Sequence, residues 1–332
     1  MNLIEKNIYY IVKRSSYLSD LDYVNVVSLF SSKISGNSVN KNINESILSS
    51  IGEFFERKSM NMDEKRLTIP AISMRENKGI NFQKEFLLKK GVLLDSCGIA
   101  SHTCPHKAYI NALMEFIERQ SLVYNYLSKQ KAYKIKWNDE KLFNIPNKFK
   151  KCEFYNISII KSCFVILAIY STKKNFYIGL GTSTDINVAM QKSLKELNQF
   201  YVSEYYFPND ESVIDYDKKI QDYSDIFSML TIDELKTAYN YLNESKILYV
   251  KNGLKKDINN VLFELYDVYK IDPYIMLYDN FRRNSRQIIM KVFDLNWFPN
   301  MNPRTFSEEH YKFVEKVTKA NLDRECNLIP FP

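Results

Sequence analysis

Three stretches of this sequence invert the usual amphipathic helix. A surface helix carries a broad polar face and a narrower apolar one. NINESILSSIGEFFERKSM, KAYINALMEFIERQSLVYNYL and VAMQKSLKELNQFYV are instead apolar almost all round, broken by one thin polar stripe. At about 100° per residue, the second places Ala108, Asn111, Ala112, Glu115, Glu118 and Arg119 on that stripe, with Leu113, Met114, Phe116, Ile117 and Val123 around it. A shift of 62 positions repeats the stencil in the first helix as Ser46, Ser49, Ser50, Glu53, Glu56 and Arg57. The third carries Ala189, Lys192, Ser193, Glu196 and Gln199 in the corresponding places. Such helices must be covered on nearly every side. Their stripes must also meet something that compensates charge, because an unpaired buried carboxylate costs several kcal/mol.

Each helix ends a repeated unit of extended stretch, glycine-bearing loop and helix. VNVVSLFSS leads through Gly36 into the first helix, GVLLD through SCGIASHTCPH into the second, and NFYIGLG through TSTDIN into the third. The chain has only 8 Gly and 9 Pro in 332 residues, against roughly 23 and 17 at average usage. That scarcity excludes collagen-like, linker-rich and many-turned all-β architectures. Gly36, Gly98, Gly179 and Gly181, half of the glycines, fall at the strand-to-helix junctions, where glycine lets backbone N–H groups approach an anion at a helix N-terminus. Asn44 and Asp185 are the expected N-caps of the first and third helices. No low-complexity segment or linker interrupts the chain, so it reads as one integrated α/β (α+β) domain over residues 1–332, with mixed sheets around a central site.

Glutamates at i and i+3 project side by side. Glu53 with Glu56, Glu115 with Glu118, and Glu196 with Gln199 together offer five carboxylates and an amide. Such an oxygen-rich set suits Mg²⁺ shared with polyphosphate oxygens, and Arg57, Arg119 and Lys192 supply charge for the phosphates. The alternative for the same residues is a set of structural ion pairs between packed helices.

Other chemistries are less well supported. Cys97, His102, Cys104 and His106 lie within ten residues, but without the paired spacings of a zinc site. They occupy a glycine loop and are expected to line it. No nucleophile–base order points to a hydrolase. A net charge of +7 is spread along the chain, with Arg282, Arg283 and Arg286 its densest cluster. That balance suits an anionic ligand better than nucleic acid. There is no secretory signal, no apolar run long enough for a membrane, and an odd count of five cysteines. The chain is therefore expected to be reduced and cytoplasmic.

The helices IGEFFER and LMEFIER, the SCGIA loop and the KELNQ helix resemble the nucleotide-binding motifs of YcaO-domain proteins. DSCGIASH leading to LMEFIERQSLVYNYL, YIGLG leading to KSLKELNQ, and the final PFP are similar to the cyclodehydratase subunits of azole-forming microcin synthetases. The motifs span residues 46–199 plus a proline-containing tail over 327–332; little between about Glu204 and Asn302 is familiar. The resemblance implies ATP and Mg²⁺ held by Glu53, Glu56, Glu115, Glu118, Glu196 and Gln199, with metal contacts from the five glutamates and with Arg119 and Lys192 near the phosphates. It also implies that the Pro332 carboxylate lies by the active site and assists proton transfer. Relatives often have an acid where this chain has Lys107, and an arginine where it has Lys192.

The implied reaction starts when a Cys, Ser or Thr side chain of a ribosomally made precursor peptide attacks the preceding backbone carbonyl. Phosphorylation of the resulting oxyanion and loss of phosphate leave a thiazoline or oxazoline. The motifs begin about 45 residues from the first residue, so leader recognition is expected from an E1-like partner protein. A flavin-dependent dehydrogenase would oxidise the azolines, and a homodimer within a hetero-oligomeric synthetase is expected. Thioamide- or amidine-forming relatives and a non-catalytic peptide-binding scaffold are the alternatives.

Overall fold

The computed structural model describes residues 8–14, 22–28, 31–40, 42–60, 67–137, 151–206, 226–227, 229–250, 254–278 and 287–332. The Arg282, Arg283 and Arg286 cluster lies outside the described residues. The architecture is mixed α/β, as expected, and is organised by three sheets.

The first sheet is the antiparallel run β1 (Ile8–Arg14), β2 (Asp22–Ser28) and β3 (Ser31–Asn40). Helix α1 (Ile43–Met60) follows β3 directly and packs on it. Strands β4 (Thr68–Ser73) and β5 (Lys78–Gln83) form a hairpin, and a short helix α2 (Lys84–Lys89) leads on to β6 (Ile99–His102). The central helix α3 (Pro105–Ser128) then feeds β7 (Tyr133–Trp137). Strands β8 (Glu153–Asn156), β9 (Phe164–Ser171) and β10 (Phe176–Ser183) precede helix α4 (Ile186–Tyr206). The remainder holds helix α5 (Ile232–Ala238), strand β11 (Lys246–Val250), helix α6 (Asn259–Asp267), strands β12 (Tyr274–Tyr278) and β13 (Ile288–Phe293), and helix α7 (Glu308–Thr318). The second sheet has the order β10-β9-β8-β7-β11, and the third β5-β4-β12-β13-β6. Thus β3, β6 and β10, the strands that precede α1, α3 and α4, are each the edge of a different sheet; of the expected extended stretches only NFYIGLG is that strand, since VNVVSLFSS lies mostly in β2 and GVLLD forms turns ahead of β6.

The apolar run in β9 explains why the second sheet sits at the centre. Val165, Leu167 and Ile169 point into one core cluster, which also holds much of α3. Phe164, Ile166, Ala168 and Tyr170 point into another, shared with α4. Alternate residues of a strand face opposite sides, so a strand apolar at every position is covered on both.

The units repeat in three dimensions, but their glycines do a different job from the one expected. Gly36 lies inside β3, and Gly179 and Gly181 lie inside β10, not in phosphate-binding loops. A Cβ added at Gly36 would strike the Ser50 carbonyl and the Phe54 amide of α1; one at Gly179 would strike the Ser193 carbonyl and the Leu197 amide of α4. The separations are identical, so β3–α1 and β10–α4 are copies of one closely packed strand–helix pair. Gly98 differs, with φ +71°, a left-handed conformation that favours glycine. Asp185 caps α4 as expected, its Oδ1 accepting from the Asn187 amide at 2.9 Å. In α1 the cap is Asn42, which accepts from the Asn44 amide at 2.9 Å; Asn44 itself lies one step inside the helix.

Candidate active site

The stripes of α1, α3 and α4 converge. A cavity of about 390 Å³ is lined by Glu53, Glu56 and Arg57 of α1, Glu115 and Arg119 of α3, and Glu196, Gln199 and Phe200 of α4. Asn37, Ser96, Ile99 and Pro332 complete its wall. Glu118 lies just outside this lining, 7% exposed.

The carboxylates are fixed by the free edges of the three sheets. The amide of Asn37 on β3 donates to Glu53 Oε2 at 2.6 Å, and that of Leu180 on β10 to Glu196 Oε2 at 2.5 Å. Each acceptor sits sixteen residues after its donor, so the two copies match to the atom. The other contacts pass from one unit to the next. Glu56 Oε1 of α1 takes the Ser101 amide of β6 at 2.6 Å, and Glu118 Oε2 of α3 takes the Thr182 hydroxyl of β10 at 2.7 Å. Gln199 Nε2 of α4 donates to the Asn37 carbonyl of β3 at 3.1 Å and closes the cycle.

Arg119 is the central cation. Its Nε is 2.7 Å from Glu115 Oε1 and its Nη2 is 3.4 Å from Glu196 Oε1. The guanidinium also lies 5.0 Å over the Phe331 ring. Burial opposes its charge, but Glu115, Glu196 and Glu118 outweigh burial and hold it protonated. Arg57 pairs with Glu53 at 2.6 Å from the more exposed rim.

Carboxylates outnumber these cations, and their acidity shows it. Burial raises Glu53. Burial, with Glu53 and Glu115 nearby, raises Glu56 to about 7. Burial, against the opposing pull of Arg119, raises Glu196 to about 7. Burial with Glu115 and Glu196 raises Glu118 to about 8. The side chains of Glu53, Glu115 and Glu196 keep 24%, 26% and 30% exposure, and the cavity they line limits the water that can screen them.

This donor set fits a divalent cation bound together with an anionic ligand. Hard oxygen ligands suit Mg²⁺, and bound positive charge would relieve the crowding that raises these acids. Among the described residues no group of three Asp, Glu, His or Cys side chains is placed to hold a metal unaided.

The other candidate residues are placed as follows. Lys192 donates to the Thr182 carbonyl at 3.0 Å and does not border the cavity. Lys107 is exposed in the first turn of α3, also away from the lining. His102 Nδ1 accepts the Cys104 amide at 2.9 Å, and Cys97 donates to Asp95 at 2.9 Å. His106 packs against the Tyr109 ring. These four residues thus serve the loop and the helix start. Asn37 and Ser96 were not legible as lining residues, although the place of Asn37, sixteen before Glu53, could have been read from Leu180 and Glu196 once the units were aligned. The tail is docked: Ile329 and Phe331 are fully buried, and Pro332 borders the cavity.

Fold and site define a mixed α/β protein with a carboxylate-walled cavity suited to a metal–nucleotide pair. A family model described as YcaO cyclodehydratase, ATP- and Mg²⁺-binding, matches residues 81–267, more than half of the chain. The chain belongs to the YcaO family. Its fold is shared with a chain of the E. coli microcin synthetase McbBCD complex, at 16% identity and TM-score 0.71 over 100% of this chain and 99% of that one. The same complex with pro-MccB17 bound gives 16% identity and TM-score 0.72 over 97% and 96%. YcaO from Methanopyrus kandleri bound with AMPPCP and Mg²⁺ is similar at 12% identity and TM-score 0.63 over 87% and 86%. No curated protein matches the sequence. Among the described residues no helix is long and apolar enough to cross a membrane.

Proposed function

We infer that this chain is the ATP- and Mg²⁺-dependent cyclodehydratase subunit of a synthetase that makes azoline rings in a precursor peptide. The observation that carries this is one cavity walled by carboxylates from three helices and bordered by the docked tail. Glu53, Glu56, Glu115, Glu118 and Glu196 would hold Mg²⁺, and Gln199 would hold the nucleotide with them. Mg²⁺ would neutralise phosphate charge. Arg119, set between Glu115 and Glu196, would neutralise phosphate charge beside the metal, and Lys192 would act from beyond Thr182.

In the reaction, the sulfur or oxygen of a Cys, Ser or Thr side chain gives up its proton and bonds to the preceding carbonyl carbon, whose C=O π bond opens to an oxyanion. The carbonyl oxygen then accepts the γ-phosphoryl group, with ADP as leaving group. The C–O bond breaks, phosphate leaves and the amide proton is lost, so the peptide loses one water. Pro332 borders the cavity, and its terminal carboxylate would take and return these protons. The nucleophile belongs to the substrate, consistent with a site whose residues position and neutralise charge.

A peptide-synthetase setting is supported by the McbBCD complex, which was solved with pro-MccB17 bound. An E1-like leader-binding partner, a flavin-dependent dehydrogenase, a homodimeric arrangement and a cytoplasmic location complete the proposal. Calorimetric titration of ATP with Mg²⁺ tests it, beside Glu115→Gln. Mg²⁺-dependent binding that the variant loses is expected, followed by a peptide mass loss of about 18 Da per ring, one water. Absence of binding in the wild type, with a candidate partner present, would leave the carboxylate stripes structural and the chain a peptide-binding scaffold.

A further inference from the structure

The segment between α4 and β12 carries none of the family-like motifs, yet it holds the chain's last residues in place. Tyr239 lies between α5 and a 3₁₀ turn (Asn240–Glu244) and is 4% exposed. Its hydroxyl donates to the Pro330 carbonyl at 2.8 Å. The ring is fixed by Phe176 of β10 and Tyr126 of α3, with centroids at 6.0 and 5.7 Å. Two residues on, the Tyr241 hydroxyl donates to Asn125 Oδ1 of α3 at 2.8 Å, and the Tyr241 and Tyr126 rings meet edge to face at 6.2 Å. The tail side of this contact is equally constrained. The Phe331 amide donates to the Ile329 carbonyl at 2.8 Å, and the Phe331 ring lies under Arg119. A closed path therefore runs from Asn125 through Tyr241, Tyr239, Pro330 and Phe331 to Arg119, six residues before Asn125 on the same helix.

We propose that Tyr239 is a positioning residue for the reaction, the fixed end of a clamp that seats Phe331 under Arg119 and holds Pro332 at the cavity wall. The role rests on the cyclodehydratase reading for its purpose, but the fixed end of the clamp rests on the Tyr239–Pro330 and Tyr241–Asn125 hydrogen bonds, which involve no carboxylate. Ile329 and Phe331 supply burial. Burial is non-directional, so it does not fix the rotation of the tail about its own axis. The directed O–H to C=O contact does, and that rotation decides where Pro332 points.

Tyr239→Phe keeps the ring and removes only the donor. Pro330–Phe331 is the only Pro–Phe step in the chain. Labelling the full chain with carbonyl-¹³C proline and ¹⁵N phenylalanine therefore gives a single correlation across that peptide bond. In the variant without nucleotide, its ¹³C shift should move toward that of an unstructured Pro–Phe peptide. Exchange of the Phe331 amide should quicken roughly tenfold, the scale of one buried hydrogen bond. The Mg²⁺–ATP dissociation constant should stay within about twofold of wild type, since the donor lies behind the tail and touches no carboxylate. A correlation and exchange rate unchanged in Tyr239→Phe would overturn the clamp. A wild type that binds no Mg²⁺–ATP would overturn the cyclodehydratase reading instead, with the clamp still decided by the nucleotide-free spectra.

Discussion

Glu118 carries the electrostatic strain of the site in a single side chain. It is buried, accepts from Thr182, and its pKa is raised to about 8, first by burial and then by Glu115 and Glu196. Glu56 and Glu196 follow at about 7. An acid whose folded pKa lies above its unfolded value keeps its proton longer in the folded chain. Its contribution is therefore present below about pH 4.5 and is lost as pH rises through about 7 to 8. The nucleotide-free protein should lose thermal stability across that window. Glu118→Gln preserves an acceptor for Thr182 and removes the charge. Its melting temperature should match wild type at about pH 4, where Glu118 is largely protonated in both the folded and the unfolded chain, and exceed it at about pH 8.5. Scanning calorimetry at both pH values checks this; an equal gain at each would show that the carboxyl does not titrate in the window. The same variant should bind Mg²⁺–ATP more weakly, because the charge that destabilises the empty site is the one proposed to hold the metal.

At the scale of elements, the strand–helix pair explains both the copies and the misplaced expectations. The stripe on each helix was legible because its spacing is local, and so was the grouping of Glu53, Glu56, Glu115, Glu196 and Gln199. The role of the glycines was not. Spacing puts Gly36 and Gly179 before a helix, but only the fold shows that each lies mid-strand, beneath a helix carbonyl and amide. The cap of α1 falls at Asn42 and not at the expected Asn44 for a similar reason: Asn suits the cap at either position, and tertiary packing decides which residue begins the helix. Gly179→Ala should push α4 off β10 and cost about 3 kcal/mol, at or above the usual range for overpacking. Gly79→Ala, where an added Cβ meets nothing within 4 Å, should stay within about 0.5 kcal/mol. Urea unfolding of the two variants provides the comparison. If Gly179→Ala were as mild as Gly79→Ala, the strand–helix approach would not be a constraint on the fold. The displaced helix should also separate Glu196 from the Leu180 amide, weakening the site along with the fold.

Across the whole molecule, the cavity is where three sheets would otherwise end in unpaired edges. An open edge presents free amides that other chains can pair with. Here Asn37, Ser101 and Leu180 donate instead to Glu53, Glu56 and Glu196. Charge-assisted bonds of this kind are stronger than neutral ones. The carboxylates therefore serve twice: one oxygen closes a sheet, and the other is engaged at the cavity, with Arg57 for Glu53 and with Arg119 for Glu196. This was not legible in the sequence, because strand order within sheets is a long-range property and nothing local marks β3, β6 and β10 as edges. Tyr239 was invisible for the same reason, since its partner Pro330 lies 91 residues away. The two duties can be separated at Glu196. Glu196→Gln keeps a carbonyl oxygen for the Leu180 amide but removes the charge; Glu196→Ala removes both. Hydrogen exchange at Leu180 should stay near wild type in the Gln variant and quicken by tenfold or more in the Ala variant, the scale of one charge-assisted bond. Mg²⁺–ATP binding should be lost in both. Because Gln199, one turn along α4, ties that helix to the Asn37 carbonyl, the Ala variant should also loosen Asn37, to a smaller degree. Equal exchange at Leu180 in the two variants would mean that the carboxylate does not close the edge, and that the three sheets are held together by core packing alone.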